Sequence, residues 1–321
     1  MNPSLANVDF RKATRQQAKA SIVIDGLSGS GKSGLALMIA YALAGETWEG
    51  VFANDTENRS LDLFEGITTH IGTKFENFNK FDLLPIHGYA PTNYIAIKEA
   101  AKKNGAVVLI QDSITHMWTG AGGILGLVSD AKAKDGKMDN YRVWGLPQIK
   151  EEKDTIAECI RDSDIHIIST VRVKEKFEMT LGDNGKSTLQ SLGEQQIMMP
   201  DLKYEPDLVL SMVSPGSITG KAPRAVVTKS RYAIFEAGME YEFTLPLLLQ
   251  LRDYLNEGAD PSVLKEQQRL ELIELITNIL DNNSSKATMF PFLKENLGVK
   301  DIPLTELDIK TLKALYTQII S

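Results

Sequence analysis

Nine consecutive residues, Gly26, Leu27, Ser28, Gly29, Ser30, Gly31, Lys32, Ser33 and Gly34, combine backbone freedom with a cation and hydroxyls at a fixed spacing. The pattern Gly26-x-x-x-x-Gly31-Lys32-Ser33 is a P-loop, whose glycines let successive backbone N–H groups close on phosphate oxygens. In that pattern Lys32 reaches the β- and γ-phosphates of a nucleoside triphosphate, here taken as ATP, and the Ser33 hydroxyl ligates Mg2+. Phosphoryl transfer needs two more kinds of group: an acid that holds the metal and a group that orients the attacking water.

Asp112 ends the apolar run AVVLIQD and meets the first need, holding magnesium directly or through water. The run GVFANDTENRSLD offers Glu57 and Asp55 for the second, and Glu57 is the preferred general base or water-positioning residue. In IHIISTVRVKEKF, the hydroxyls of Ser169 and Thr170 sit at a strand end, suited to sensing a γ-phosphate. Arg172 and Lys174 follow at alternate positions, so an extended chain puts both on one side. Lys229 and Arg231 repeat the alternation in VVTKSRY. Cations of this kind either lie in solvent or reach a neighbouring subunit's γ-phosphate as an arginine finger does.

These groups need a scaffold. From Ala20 to about Asp253 short apolar runs alternate with helical patterns, the signature of an α/β domain with a largely parallel sheet. Strands are expected at Ala20–Asp25, Gly50–Asp55, Asp82–Ile86, Ala106–Asp112 and Ile165–Thr170, and helices at Lys32–Leu43, Tyr94–Lys103 and Leu146–Arg161. Asp207–Met212, Arg224–Tyr232 and Glu240–Thr244 read as late strands, antiparallel additions or hairpins. Two long segments, Trp118–Gly145 and Val171–Pro206, fit no regular element and read as lids or binding loops, or else as disordered chain.

Residues 1–19 form an N-terminal extension, 20–255 the main domain, 256–261 a turn-rich linker and 262–321 a small helical domain. In the last, an amphipathic helix at Val263–Leu280 precedes a tail whose apolar stripe is Leu307, Ile309, Leu312, Leu315 and Ile319.

Composition narrows the function classes. A net charge of -7 argues against a uniformly basic nucleic-acid binder but leaves room for a local basic groove. The lone cysteine, Cys159, rules out an intrachain disulfide and a cysteine-based zinc site. Four scattered histidines argue against a dedicated transition-metal centre. No apolar run approaches the roughly 20 residues of a membrane span, and the N-terminus lacks the apolar core of a signal peptide, so a cytoplasmic protein is expected.

Taken in order, GLSGSGKS, NDTENRSLD, VVLIQDSITHMW, HIISTVRVKEKF and VVTKSRY resemble the motifs of RecA-like ATPases. They look closest to the phage-encoded RecA-like, AAA-type ATP-binding proteins associated with recombination and single-strand annealing. The resemblance covers roughly Ala20 to Leu255. It implies a RecA-like P-loop core with Glu57 as the catalytic glutamate, Asp112 as the Walker B acid, and Lys229 and Arg231 acting across a subunit interface of a homo-oligomer. It further implies single-stranded DNA as a partner, met by the irregular segments through Lys132, Lys134, Lys137, Arg142, Lys174, Lys176 and Lys186. A single-strand-binding or annealing protein is a possible further partner, and the cytoplasm of a bacterial host the implied setting. The chain departs from bacterial RecA in being shorter and in lacking a recognisable N-terminal polymerisation helix and strand.

ATP hydrolysis in DNA recombination, repair or replication is therefore the leading expectation. A replicative hexameric helicase motor, and an ATP-binding regulatory module that docks a partner without motor activity, are the alternatives.

Overall fold

The computed structural model describes residues 15–69, 71–136, 139–181, 187–216 and 220–320. Its contacts divide into two compact units, Lys19–Leu255 and, separately, residues 256–320 with 15–18.

The larger unit is built on a sheet. Its strands are β1 (Ser21–Gly26), β2 (Val51–Asp55), β3 (Asn79–Asp82), β4 (Val108–Asp112), β5 (His166–Leu181), β6 (Ser187–Gln196), β7 (Leu208–Ser214), β8 (Arg224–Ser230) and β9 (Glu240–Glu242). The order is β3-β2-β4-β5-β1-β7-β8-β9, with β6 paired to β5 outside that path. From β3 through β7 every neighbouring pair is parallel, and β8 and β9 add antiparallel. This is the expected α/β architecture with a mostly parallel central sheet.

The central position of β1 explains its composition. All six of its residues are buried, as a strand covered on both faces requires. Ile22 and Ile24 point to one face, where helix α1 (Lys32–Leu43) and helix α7 (Leu245–Asn256) pack with Leu35, Ile39, Leu248 and Leu251. Val23 points to the other, against Tyr94 of α2 (Pro91–Lys103), Met117 of α3 (Thr115–Thr119), Ile124 of α4 (Ile124–Lys134) and Ile156 of α6 (Pro147–Cys159). Each such buried aliphatic side chain contributes about 1.5–3 kcal/mol of transfer free energy. The carboxyl ends of the parallel strands thus emerge along one edge of a three-layer sandwich, where crevices form in open α/β sheets.

Four expectations need correction. The strand expected at Asp82–Ile86 is Asn79–Asp82 instead; Pro85, which has no N–H to donate to a ladder, opens a short 3-10 turn at Pro85–His87. Among the described residues, Trp118–Gly145 runs through α3, α4 and α5 (Asn140–Trp144), because Gly120, Gly123 and Gly145 stand at helix caps. Gly123 precedes α4 and Gly145 follows α5, while Ile124 and Val128, one turn apart, are buried. The segment Val171–Pro206 is mostly a ribbon: β5 runs on past the sheet and β6 returns antiparallel to it. Finally, β7 is not an antiparallel addition but lies parallel to β1, with Ile24 opposite Leu210.

The smaller unit contains α8 (Pro261–Asn282), α9 (Ser284–Asn296) and α10 (Ile309–Ile320). Ile276 of α8 is buried with Leu307, Leu312, Leu315 and Ile319, which form most of the expected stripe. The start of α10 is set by Asp308, whose Oδ1 accepts the Thr311 N–H at 2.8 Å.

Candidate functional site

The turn between β1 and α1 has the backbone its glycines predict. Gly31 adopts φ 92°, and a Cβ there would sit 2.7 Å from the Pro215 Cα, so only glycine fits. A Cβ on Gly34 would touch the Phe64 ring at 3.3 Å, which is how an aromatic side chain comes to lie against the first turn of α1. Leu27, Ser28 and Gly29 are exposed at the tip, and the buried Ser30 Oγ has no hydrogen-bond partner. The loop leads straight into the N-terminus of α1, so free N–H groups and the positive end of the helix dipole face the same space.

Lys32 folds back over this loop, its Nζ donating to Gly26 O at 3.0 Å and Leu27 O at 2.8 Å. Burial holds its ammonium below the ordinary lysine range, while Asp112 and Asp25 pull it back up. One residue on, the Ser33 hydroxyl donates to Asp112 Oδ2 at 2.6 Å. Asp112 is buried, and its other oxygen accepts from the Thr170 hydroxyl. A hydroxyl and a carboxylate in contact beside a phosphate-type loop are hard oxygen donors, the ligand chemistry of Mg2+, so Ser33 and Asp112 fit that ion.

Strand register brings the remaining groups in. Asp55 lies beside Asp112 on neighbouring parallel strands, so the turn after β2 hangs over the end of β4. Asp55 is occupied structurally: its carboxylate accepts the N–H of Glu57 at 2.8 Å and of Leu61 at 2.9 Å. Burial pushes its pKa up to about 6, partly offset by the Leu61 N–H. It therefore shapes the turn that presents Glu57. Glu57 Oε1 accepts from Ser113 Oγ at 2.8 Å and from Arg172 Nε at 2.8 Å, and Arg172 Nη2 meets its second oxygen.

Arg172 sits where β5 leaves the sheet, opposite Gly26 in the register. Its N–H donates to Thr115 Oγ1 at 2.9 Å, which fixes the strand at that point.

Lys32, Ser33, Glu57, Asp112, Thr170 and Arg172 thus converge at one strand edge. Lys229 and Arg231 do not join them. Lys229 is level with Val209, three residues back along β7 from Met212, which puts it about 10 Å from the level of Gly26. Its Nζ donates to Tyr204 O at 2.7 Å and Pro206 O at 2.6 Å, and Arg231 pairs with Asp207 at 2.8 Å. Among the nucleic-acid candidates, Lys134, Arg142 and Lys174 are exposed and Lys132 is half-buried. Lys176 lies in β5, and Lys137 and Lys186 fall outside the described residues.

Several residues reach the site without having been foreseen. Thr56 Oγ1 accepts the Ser113 N–H at 2.8 Å and lies 2.7 Å from His116 Nδ1. The His116 ring stacks on Tyr89 at 5.0 Å, and burial lowers its pKa. Beside the loop, a cavity of about 360 Å³ is walled by Met38, Phe64, Phe75, Pro215 and Pro223. Thr56 stands next to a carboxylate already singled out, but its role depends on the fold of β4, which linear spacing does not show.

No protein-family model matches the chain, and no curated protein matches it. No helix among the described residues is long and apolar enough to cross a membrane.

Proposed function

We propose that the chain is a P-loop nucleoside triphosphatase that binds MgATP and hydrolyses it to ADP and phosphate. The observation that carries this reading is the Ser33–Asp112 contact of 2.6 Å at the mouth of the glycine loop, with Glu57 held one residue away through Ser113. Lys32 exchanges its two carbonyl contacts for phosphate oxygens, and the loop N–H groups take the remaining charge. Mg2+ supplies charge neutralisation on the β- and γ-phosphate oxygens when bound. Glu57 accepts a proton from the attacking water as the water oxygen bonds to the γ-phosphorus and the bridging bond breaks. The apolar cavity beside Phe64 suits a nucleobase, whose flat ring can stack on an aromatic edge.

The working context we propose is a RecA-like oligomer on single-stranded DNA, in recombination, repair or replication, with Lys229 and Arg231 serving a neighbouring subunit's nucleotide. Support comes from their separation from their own loop and from the ribbon of β5 and β6, which starts at Arg172. Steady-state hydrolysis of MgATP with and without single-stranded DNA, beside equilibrium binding of ATP, tests both parts. Binding and turnover are expected, the rate rising with DNA. A chain that binds no ATP overturns the whole reading, and turnover indifferent to DNA overturns the context.

A further inference from the structure

The ribbon is tied to the rest of the site twice, once on each strand, and one of the ties is to the residue that leads into the Gly26–Ser33 loop. On β5 the tie is Arg172 with Glu57. On β6 it is Gln196, whose Nε2 donates to Asp25 Oδ2 at 2.5 Å. Asp25 is the residue just before Gly26, it is 5% exposed, and the proposed chemistry does not use it. It stands beside Ser211 of β7, and both line a groove of about 780 Å³ under the base of the ribbon, along with Glu194, Met198 and Lys229. Gln196 pairs with Val173, the neighbour of Arg172, and Ile197 N–H donates to Arg172 O at 2.8 Å.

A carboxyl this deep in a sheet is costly unless it serves a partner. Burial raises the Asp25 pKa, and the bonds from Gln196 and Ser211 only partly oppose that.

We propose that Asp25 is a positioning residue that, through Gln196, couples phosphate occupancy of the Gly26–Ser33 loop to the position of the β5–β6 ribbon. The inference rests on the nucleotide-binding reading above and adds a second route to it. A shift of the loop when its N–H groups close on phosphate moves Asp25, because one peptide joins it to Gly26. Asp25 then moves Gln196 and with it the returning strand. Since β5 and β6 pair throughout this region, the same movement bears on Arg172 and on its hold on Glu57.

The test is amide hydrogen exchange across residues 172–196 with and without a non-hydrolysable ATP analogue and Mg2+, in the wild type, Gln196→Leu and Asp25→Asn. Gln196 lies outside the core sheet, so its replacement leaves the fold standing, and Asp25→Asn keeps a neutral acceptor for the Gln196 amide. In the wild type the analogue is expected to change protection in β6. Gln196→Leu should abolish that change while analogue affinity stays within about twofold, and Asp25→Asn should keep it. An unchanged response in Gln196→Leu, or a ribbon that ignores bound analogue in the wild type, overturns the coupling alone. A wild-type chain that does not bind the analogue overturns the nucleotide reading as well.

Discussion

Arg172 and Glu57, 115 residues apart in the chain, meet as a bidentate pair in which Nε lies 2.8 Å from Oε1. The guanidinium fork matches a carboxylate, and in the proposed reaction this carboxylate takes a proton from water. Arg172 cannot hold Glu57 and a γ-phosphate through the same donors, so a nucleotide bound as proposed would compete with Glu57 for it.

Replacement of Glu57 by glutamine separates those roles. Glu57→Gln removes the charge that retains Arg172, which frees the guanidinium for phosphate. Nucleotide affinity is expected to stay or rise while turnover falls about 10²- to 10⁴-fold, the usual contribution of a general base. Equilibrium titration and steady-state rates measured on the same sample decide it. A parallel fall in affinity and rate would assign Glu57 to holding nucleotide.

Lys32 offers a second test at the loop itself. Its ammonium satisfies two backbone carbonyls, so Lys32→Ala exposes those carbonyls at the surface with little cost to the fold. ATP turnover should drop about 100-fold or more, as when one preorganised donor is removed from a developing charge. Thermal unfolding should show a midpoint close to wild type without nucleotide, and the stabilisation by MgATP should shrink.

How far these groups could be read from residue order depends on where they stand. Helix α1 begins and ends at Lys32 and Leu43 as expected, and β1, β2 and β4 agree within two residues at either end. Those strands are buried on both faces, so their apolar runs are nearly continuous and stop where glycine or carboxylate residues begin. In Trp118–Gly145 the glycine content reads as irregular chain, whereas Gly120, Gly123 and Gly145 stand at helix caps. In Val171–Pro206 the strands that pair as a ribbon have few apolar residues beyond Val173 to mark them. Thr56, Thr115 and His116 enter the site, and Gln196 reaches Asp25 beside it, only through the registers of β2 on β4, of β4 on β5 and of β6 on β5, relations no local pattern encodes.

His166 predicts how the fold responds to acid. Its Nδ1 accepts the Ala20 N–H at 2.9 Å, and burial drives its pKa down to about 3. The folded state therefore binds fewer protons than the unfolded chain between about pH 3 and the ordinary histidine value near 6.5. This contribution to stability is whole above about 6.5 and is lost as pH falls through that window. From about pH 7 to about pH 5 the loss amounts to about 2 kcal/mol at roughly 1.4 kcal/mol per unit. Asp55, raised to about 6, has the opposite sign, its contribution being lost as pH rises through that value. Urea melts of the wild type and His166→Gln should therefore diverge in slope, the variant losing less stability on acidification. Parallel slopes would show that His166 is protonated in the folded protein.

The distance of Lys229 and Arg231 from their own Gly26 makes the last prediction a matter of assembly. If a neighbour's γ-phosphate is their target, Arg231→Ala leaves nucleotide binding intact and lowers turnover about 10³-fold or more, the range of an arginine finger. A chain carrying Lys32→Ala is impaired for a different reason, since its loop has lost the cation that meets phosphate. Mixed in equal amounts, the two variants rebuild sites with an intact loop from one chain and an intact finger from the other. Random assembly makes about a quarter of sites whole, so the mixture should regain activity that neither variant has alone. Activity of the mixture is therefore compared with the separate variants at the same total concentration. No gain on mixing, in a sample shown by mass to have exchanged subunits, would return both cations to the role seen in the single chain, in which Lys229 caps the carbonyls of Tyr204 and Pro206 and Arg231 holds Asp207.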